Sequence, residues 1–339
     1  MDLVKTLDLF AGIGGIRKGF EKTGKFETVF ANDLESNCKA TYDLNFDTCR
    51  LTVGDLRNLS VKEGDIPAFD FLLGGFPCQP FSVAGLRQAF DDHKGRGNLI
   101  HDIVRILKEA EVTHGKPKGF MLENVKNLID IEKGAVYETI KELLEEVGYF
   151  VDCRVYNSLN FGVPQSRQRV YIIGFSDKKD FDNFEWPEKA EKTSLRVKDV
   201  LDTYVEPHHY YNDKPLYEKI KDAVTNNDSV YLYRRNHVRE HETGYSPTLV
   251  ASMGQGGHNV PIIKDMKGIR RLTPMECAKL QGYHDLKIPH EVSEIQIYKQ
   301  IGNSVAVPVV YAIANRISEV LSSKVTTPLS RTLEMSNIP

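Results

Sequence analysis

Cys78 sits in the run Gly74-Gly75-Phe76-Pro77-Cys78-Gln79-Pro80-Phe81-Ser82, flanked by prolines and preceded by two glycines. The apolar run 69–73 before it reads as a β-strand, so the cysteine lies on a stiff loop at a strand's C-terminal end. Such a loop presents a thiol in a fixed position. Thiolate is the reactive form, and electropositive surroundings raise its fraction. Cys38, Cys49, Cys153 and Cys277 lack this context and read as inert, structural side chains.

A second constellation lies at the N-terminus. The strand pattern 4–10 runs into Ala11-Gly12-Ile13-Gly14-Gly15 and then into a helical pattern carrying Ile16 and Phe20 on one face. A glycine turn between a first strand and helix lets a ligand approach the backbone. Asp33 follows the next strand pattern and is suited to ribose hydroxyls. Asp55, in Gly54-Asp55-Leu56, ends a third and is suited to an adenine amino group. Acids and glycines at three successive strand ends point to a nucleoside cofactor, because α/β sheets bind ligands there. The glycines at 12, 14, 15 and 19 do not form G-x-G-x-x-G, which disfavours a nicotinamide dehydrogenase.

The elements that must position these residues alternate. Strand patterns recur at 4–10, 28–31, 69–73, 119–122, 149–155 and 170–175, with helical periodicity at 98–108 and 136–147. That order predicts a mostly parallel sheet with helices on both faces. Residues 176–268 are rich in Tyr, Asn, His and Gly without a long periodic segment, and predict a separate, irregular, loop-rich unit. Thr273-Pro274-Met275-Glu276 is a capping box with proline at the first helical position, and Gly282 is a stop. From about Ala306 a last helix aligns Val309, Val310, Ile313, Ile317, Val320 and Leu321 on a face expected to dock on the first unit. The expected organisation is a first unit at 1–175, a second unit at 176–283, a return segment at 284–330 and a loose tail at 331–339.

With 339 residues, 41% apolar and 27% charged, the chain is an ordinary globular protein large enough for two units. The net charge of −3 excludes a globally basic nucleic-acid binder but not a local basic patch. One such patch is Arg234-Arg235-Asn236-His237-Val238-Arg239, preceded by Tyr231 and Tyr233 and followed by Thr248-Leu249 and Gly254-Gln255-Gly256-Gly257. Arginines suit phosphates and guanine edges, and glycines let backbone approach a groove, so 230–260 is expected to enter a major groove. His237-x-x-Glu240-His241 spells a zinc-peptidase pattern, but no helix is evident, arginines crowd it and a third ligand is missing. His208-His209 reads as surface, and no metal is expected. No membrane span or leader is read, and five scattered cysteines suit a reducing cytoplasm.

Six stretches, in order, resemble the DNA (cytosine-5)-methyltransferase family of the bacterial restriction-modification type. They are Asp8–Gly15, Gly75–Ser82, Glu123-Asn124-Val125, Gln165-Ser166-Arg167-Gln168-Arg169, Arg270–Gly282 and Gln300–Val305. The resemblance implies a Rossmann-like domain that uses S-adenosyl-L-methionine, with a smaller target-recognition domain. It implies catalysis by Cys78, Glu123, Arg167 and Arg169. Cofactor contacts are expected from Asp8, Phe10, Gly12, Gly14, Asp33, Leu34, Asp55, Leu56, Pro77, Asn303 and Ser304. DNA contacts are expected from Gln79, Ser82, Arg234, Arg235, Arg239, Thr248, Leu249, Gly256 and Gly257. Asp33 stands where the family usually has Glu, and Leu34 replaces a stacking aromatic, a role Phe10 could supply. The implied partners are double-stranded DNA and, functionally, a cognate restriction endonuclease, for a monomeric protein. RNA-directed relatives on the same scaffold commonly carry Cys-Phe-Thr, which this sequence lacks.

Overall fold

The computed structural model describes residues 2–77, 99–255 and 259–322. Seven strands form one sheet: β1 Val4–Leu9, β2 Phe26–Asp33, β3 Leu51–Val53, β4 Phe71–Gly74, β5 Gly119–Val125, β6 Phe150–Asn157 and β7 Gln168–Phe175. Their order is β3-β2-β1-β4-β5-β7-β6. The strands from β3 to β5 are parallel, and β7 is reversed between β5 and β6. This is the mostly parallel, Rossmann-like α/β sheet that the alternating patterns predict.

Period-two alternation divides the strand residues between two helical layers. Leu7, Leu9, Leu72, Phe120 and Leu122 pack on one face, against α3 (Leu99–His114) and α4 (Ala135–Glu145). Phe71, Leu73, Met121 and Ile173 point to the other, where α1 (Gly15–Glu21) contributes Ile16 and Phe20. Helix α2 (Cys38–Asn45) packs Cys38 and Tyr42 with Ala31 and Leu51 beside β2 and β3. Helix α3 runs one and a half turns beyond the predicted 98–108.

The region after β7 is more regular than the sequence suggests. Short helices α5 (Lys178–Asn183) and α6 (Tyr217–Ile220) lead to β8 Tyr231–Arg234, β9 His237–Glu240, β10 Ile262–Asp265 and β11 Gly268–Arg271. These form a four-stranded antiparallel sheet in the order β11-β10-β8-β9. Tyr231, Tyr233, Ile262 and Ile269 make its core with Tyr211, Ile220 and Val224. Each strand has four residues, too few for periodicity to register. The β8–β9 turn places Arg235 and Asn236 at φ +49° and +65°, the pair of left-handed residues that a two-residue hairpin needs. The His-x-x-Glu-His pattern therefore begins on a strand. His209 is not a surface residue, as predicted, but buried. Its Nε2 lies 3.3 Å from a Glu294 carboxylate oxygen and its Nδ1 accepts from Arg271 Nε at 3.3 Å.

Helix α7 (Pro274–Lys279) has the predicted capping box: Thr273 Oγ1 accepts from Glu276 N at 3.0 Å, and Glu276 Oε2 accepts from Thr273 N at 2.8 Å. Helices α8 (Glu294–Asn303) and α9 (Val307–Ser322) follow. By length and apolar composition Glu294–Ser322 would cross a membrane, but the two helices are separated at 304–306 and their apolar faces are packed. Val309, Val310, Ile313 and Ile317 of α9 are buried beside Ile16 and Phe20 of α1. At roughly 1.5–3 kcal/mol per fully buried aliphatic side chain, this face is enough to hold the helix on the sheet.

Asp8 departs from expectation. It is fully buried on β1, it does not line the cleft described below, and both carboxylate oxygens lack a hydrogen-bond partner. Burial pushes its pKa up to about 8, opposed by Arg17 and reinforced by Glu21 and Asp33. Between about pH 4 and pH 8 the folded chain holds a proton that the unfolded chain releases, so Asp8 subtracts from stability as pH rises through that window. Asp8→Asn is expected to raise the melting temperature at pH 8 and to change it little at pH 4. A difference that stays constant across this range in thermal melts would show an Asp8 that titrates normally.

Candidate active site

A cleft of about 480 Å³ opens at the carboxyl ends of the parallel strands. Its walls are the segments that follow β1 (Phe10–Ile13), β2 (Asp33–Glu35), β3 (Gly54–Leu56) and β4 (Gly75–Pro77), with Glu123–Val125 at the end of β5. The chain leaves β1 toward β2 and later crosses to β4 on the other side. That divergence of connections is what opens a crevice in a doubly wound sheet.

One end of the cleft suits a nucleoside. Gly12 is left-handed, at φ +54°, and a Cβ there would meet no atom within 4 Å, so the loop leaves open space where a ligand can approach. Asp33 Oδ2 accepts from Gly12 N at 2.7 Å and Oδ1 from Glu35 N at 2.8 Å, which fixes the carboxylate across the loop. Leu34 is 68% exposed, and Phe10 and Leu56 also line the space, giving apolar surface for a base. Asp55 lines it too, but its carboxylate pairs with Arg57 and caps the turn at Leu56–Asn58. This ion pair holds its pKa below the usual carboxylate range. Gly14 does not line the cleft. It is left-handed at φ +78°, and a Cβ there would strike Phe46.

The other end carries charge. Glu123 is 7% exposed, and burial raises its pKa against the pull of Arg169 and Arg167. Arg169 Nε lies 3.0 Å from Glu123 Oε1 as an ion pair, and that oxygen has no other partner among the described residues. Glu123 is registered opposite Tyr171, and Val125 opposite Arg169, on antiparallel β5 and β7. Glu123 and Arg169 are therefore diagonal neighbours on one face, within reach of a long side chain. Arg167, just before β7, lines the cleft with Arg169, whereas Gln165 does not. Asn124 Nδ2 donates to Phe76 O at 3.0 Å and so anchors the loop that leads to position 78. Cys78, Gln79, Ser82, Gly256 and Gly257 lie outside the described residues.

Arg167 is committed to backbone carbonyls. Its guanidinium is not paired with Glu123. Nη1 donates to Leu249 O at 2.8 Å, and Nη2 to Ser304 O at 2.5 Å and Gly302 O at 3.4 Å. The strap 246–251 is held further by Leu249 N donating to Gln165 Oε1 at 3.0 Å and Thr248 Oγ1 donating to Ser166 O at 2.7 Å. Leu249 is 1% exposed, so its side chain is core, not a surface DNA contact as predicted. Thr248 is half-buried, with its hydroxyl committed to the strap. Arg234, Arg235 and Arg239 are exposed on the β8–β9 hairpin. Asn303 is exposed at the cleft, whereas Ser304 is buried with its Oγ 2.6 Å from Tyr283 Oη.

Several contributors were not singled out from sequence. Val250, Ala251, Asn124, Glu35 and Gln300 line the cleft. Gln300 joins α8 to α2, accepting from Thr41 Oγ1 at 2.8 Å and donating to Asn37 O at 2.7 Å. Lys299 reaches Glu35 at 3.0 Å. Only the Asn beside Glu123 and the Gln of Gln300–Val305 stood inside a recognisable motif.

Fold and cleft define a Rossmann-like methyltransferase. Residues 4–319 match the family model described as C-5 cytosine-specific DNA methylase. Type II methyltransferase M.Bsp6I of Bacillus sp. (strain RFL6) is 42% identical over 320 residues, covering 93% of this chain and 98% of that protein. Type II methyltransferase M.HpaII of Haemophilus parainfluenzae is 36% identical over 342 residues, covering 94% and 90%. The solved Entamoeba histolytica methyltransferase EhMeth superimposes with a TM-score of 0.73 at 18% identity, covering 95% of this chain and 99% of that one. The chain belongs to the C-5 cytosine-specific DNA methylase family and is a DNA cytosine methyltransferase.

A Cβ at Gly302 would lie 2.2 Å from Val250 O and 2.8 Å from Ala251 N, both backbone. Gly302→Ala is therefore expected to push strap and loop apart, lower the melting temperature and weaken cofactor binding by about tenfold or more. Unchanged affinity by calorimetry would mean that this contact has slack.

Proposed function

We propose that the enzyme methylates C5 of a cytosine flipped out of a short, specific duplex DNA sequence, through a covalent bond between Cys78 and C6. It acts as the protecting methylase of a restriction-modification system, alongside a cognate endonuclease, and works as a cytoplasmic monomer. The observation that carries this reading is Glu123: a buried carboxyl with raised proton affinity, its Oε1 paired only with Arg169 among the described residues, lining the same cleft as the nucleoside-sized end.

The cleft fits S-adenosyl-L-methionine. Gly12 leaves open space at the glycine turn, Phe10, Leu34 and Leu56 offer apolar faces, and Asp33 and Asp55 offer carboxylates. Pro77, Asn303 and Ser304 complete the wall. When bound, the cofactor supplies an electrophilic methyl group.

Cytosine C5 is a poor nucleophile until the ring is activated. Addition of the Cys78 thiolate to C6 converts the ring to an enamine nucleophilic at C5, provided that charge is relieved at N3. Glu123, protonated, donates there, since a buried carboxyl keeps its proton to higher pH. Arg169 holds that carboxyl in place, and Arg167 retains an unpartnered Nε–H for charge developing on O2. After methylation, loss of the C5 proton, with water as the default acceptor, expels Cys78 and restores the aromatic ring. A stacked base offers no open face to a thiol, so the base must leave the helix at a cost of a few kcal/mol.

Sequence reading is assigned to residues 176–283. The exposed Arg234, Arg235 and Arg239 supply phosphate or guanine contacts from the β8–β9 hairpin. Residues 284–322 return to the catalytic unit in this reading, and the rest of the expected return segment and tail, 323–339, lies outside the described residues.

The deciding experiment offers labelled methyl donor with duplex DNA and tRNA in parallel, then maps the modified base. Label on cytosine C5 of the duplex is expected, and label on RNA alone would overturn the DNA reading. Cys78→Ser is expected to lower transfer about a thousandfold or more, and undiminished turnover would remove the covalent step. Arg234→Ala with Arg235→Ala is expected to weaken DNA binding and flatten the log–log salt dependence by about two. Unchanged binding would place the DNA elsewhere.

A further inference from the structure

Arg167 is 3% exposed, and no carboxylate is hydrogen-bonded to it. Burial and the neighbouring Arg169 charge pull its pKa down to about 9. A buried cation depends on the groups that solvate it; Glu123 acts on this one through its charge alone, and the groups hydrogen-bonded to its two terminal nitrogens are backbone carbonyls of two segments. Leu249 belongs to the strap that continues from the β8–β9 hairpin. Gly302 and Ser304 belong to the loop between α8 and α9 that lines the cofactor end of the cleft. The two segments also touch directly, because Gly302 has no room for a Cβ beside the Val250 carbonyl.

We infer that Arg167 is a positioning residue that couples the two substrates: through its guanidinium, engagement of DNA by the β8–β9 hairpin, from which the strap continues, and cofactor binding against the 302–305 wall favour one another. The inference rests on the proposed DNA-facing role of Arg234, Arg235 and Arg239. Its physical basis is the cost of breaking the bridge. If either segment shifts, a buried guanidinium N–H loses its acceptor, and the penalty is that of an unsatisfied charged donor rather than of an ordinary hydrogen bond. Each segment therefore stabilises the other in a single arrangement. A ligand that binds either segment in that arrangement promotes binding at the other, and the effect is reciprocal. A planar fork reaches acceptors on two segments at once, whereas a lysine ammonium at the end of a shorter stem does not.

The test uses the full-length protein and isothermal titration of S-adenosylhomocysteine, with and without saturating duplex DNA carrying the site mapped by methyl transfer. Wild type is expected to bind the cofactor product at least about fivefold more tightly with DNA present, the lower range of allosteric coupling. Arg167→Lys and Arg167→Met are expected to bring that ratio close to one. Thr248→Val, which removes only the strap's hydroxyl anchor to Ser166 O, is expected to reduce the ratio partway and serves if the Arg167 variants do not fold.

DNA binding by wild type without any change in product affinity would overturn the bridge alone. Absence of DNA binding by wild type would overturn the functional reading and the bridge together. Arg167 variants, or Thr248→Val in their place, that keep the full wild-type ratio would also overturn it. In particular, a lower kcat in Arg167 variants with coupling intact would leave Arg167 its part at the base alone.

Discussion

Two stretches of backbone some fifty residues apart, 249–251 and 302–304, are pressed together until only a glycine fits between them. This contact organises the cleft. One stretch continues from the antiparallel sheet with its exposed arginines, and the other ends the helix that braces the nucleotide end through Gln300 and Lys299. Backbone polar groups brought so close need partners, and the buried guanidinium of Arg167 provides them.

The charges around this contact have different supports. Glu123 and Arg169 lie on adjacent antiparallel strands, so their pairing follows from sheet register and needs no loop. Reversal of β7 is what brings arginines to a carboxylate at the end of β5. A parallel neighbour would have presented its other end. Asp8, two strands away on β1, has no hydrogen-bond partner among the described residues, and burial raises its proton affinity. Two buried carboxyls of one sheet thus share a raised proton affinity through burial. One is open to a ligand and the other is sealed in the core.

Much of this was legible in the sequence because the relevant signals are local. The alternation of strand and helix patterns, the Thr273–Glu276 cap and the apolar stripe on the last helix each depend on a few neighbouring residues, and each forms as expected. The glycine turn and the acids at successive strand ends likewise line the cleft, with Asp8 and Gly14 as exceptions. Both carry the motif's residue types but serve packing: Asp8 faces inward on β1, and Gly14 makes room for Phe46. The four-residue strands of the second sheet were too short to show a period. The division of labour between Arg167 and Arg169 was hidden for another reason. Their spacing fixes a shared face, but which one meets Glu123 depends on register with β5 and on carbonyls contributed from positions 249 and 304. His209 was missed similarly, since its burial depends on Glu294 and Arg271 from distant segments.

The docking of α9 beside α1 has a consequence for how the molecule is made. The glycine turn at 12–15 precedes in translation, by roughly three hundred residues, the loop at 302–305 that walls its cleft and the helix that covers its sheet. Contacts of such sequence separation form late, after the costly closure of long loops. A nascent chain that stops short of residue 300 would carry the thiol and the acidic strand ends without the wall formed by 302–305. A complete cleft therefore arrives only once residues 302–305 have been made.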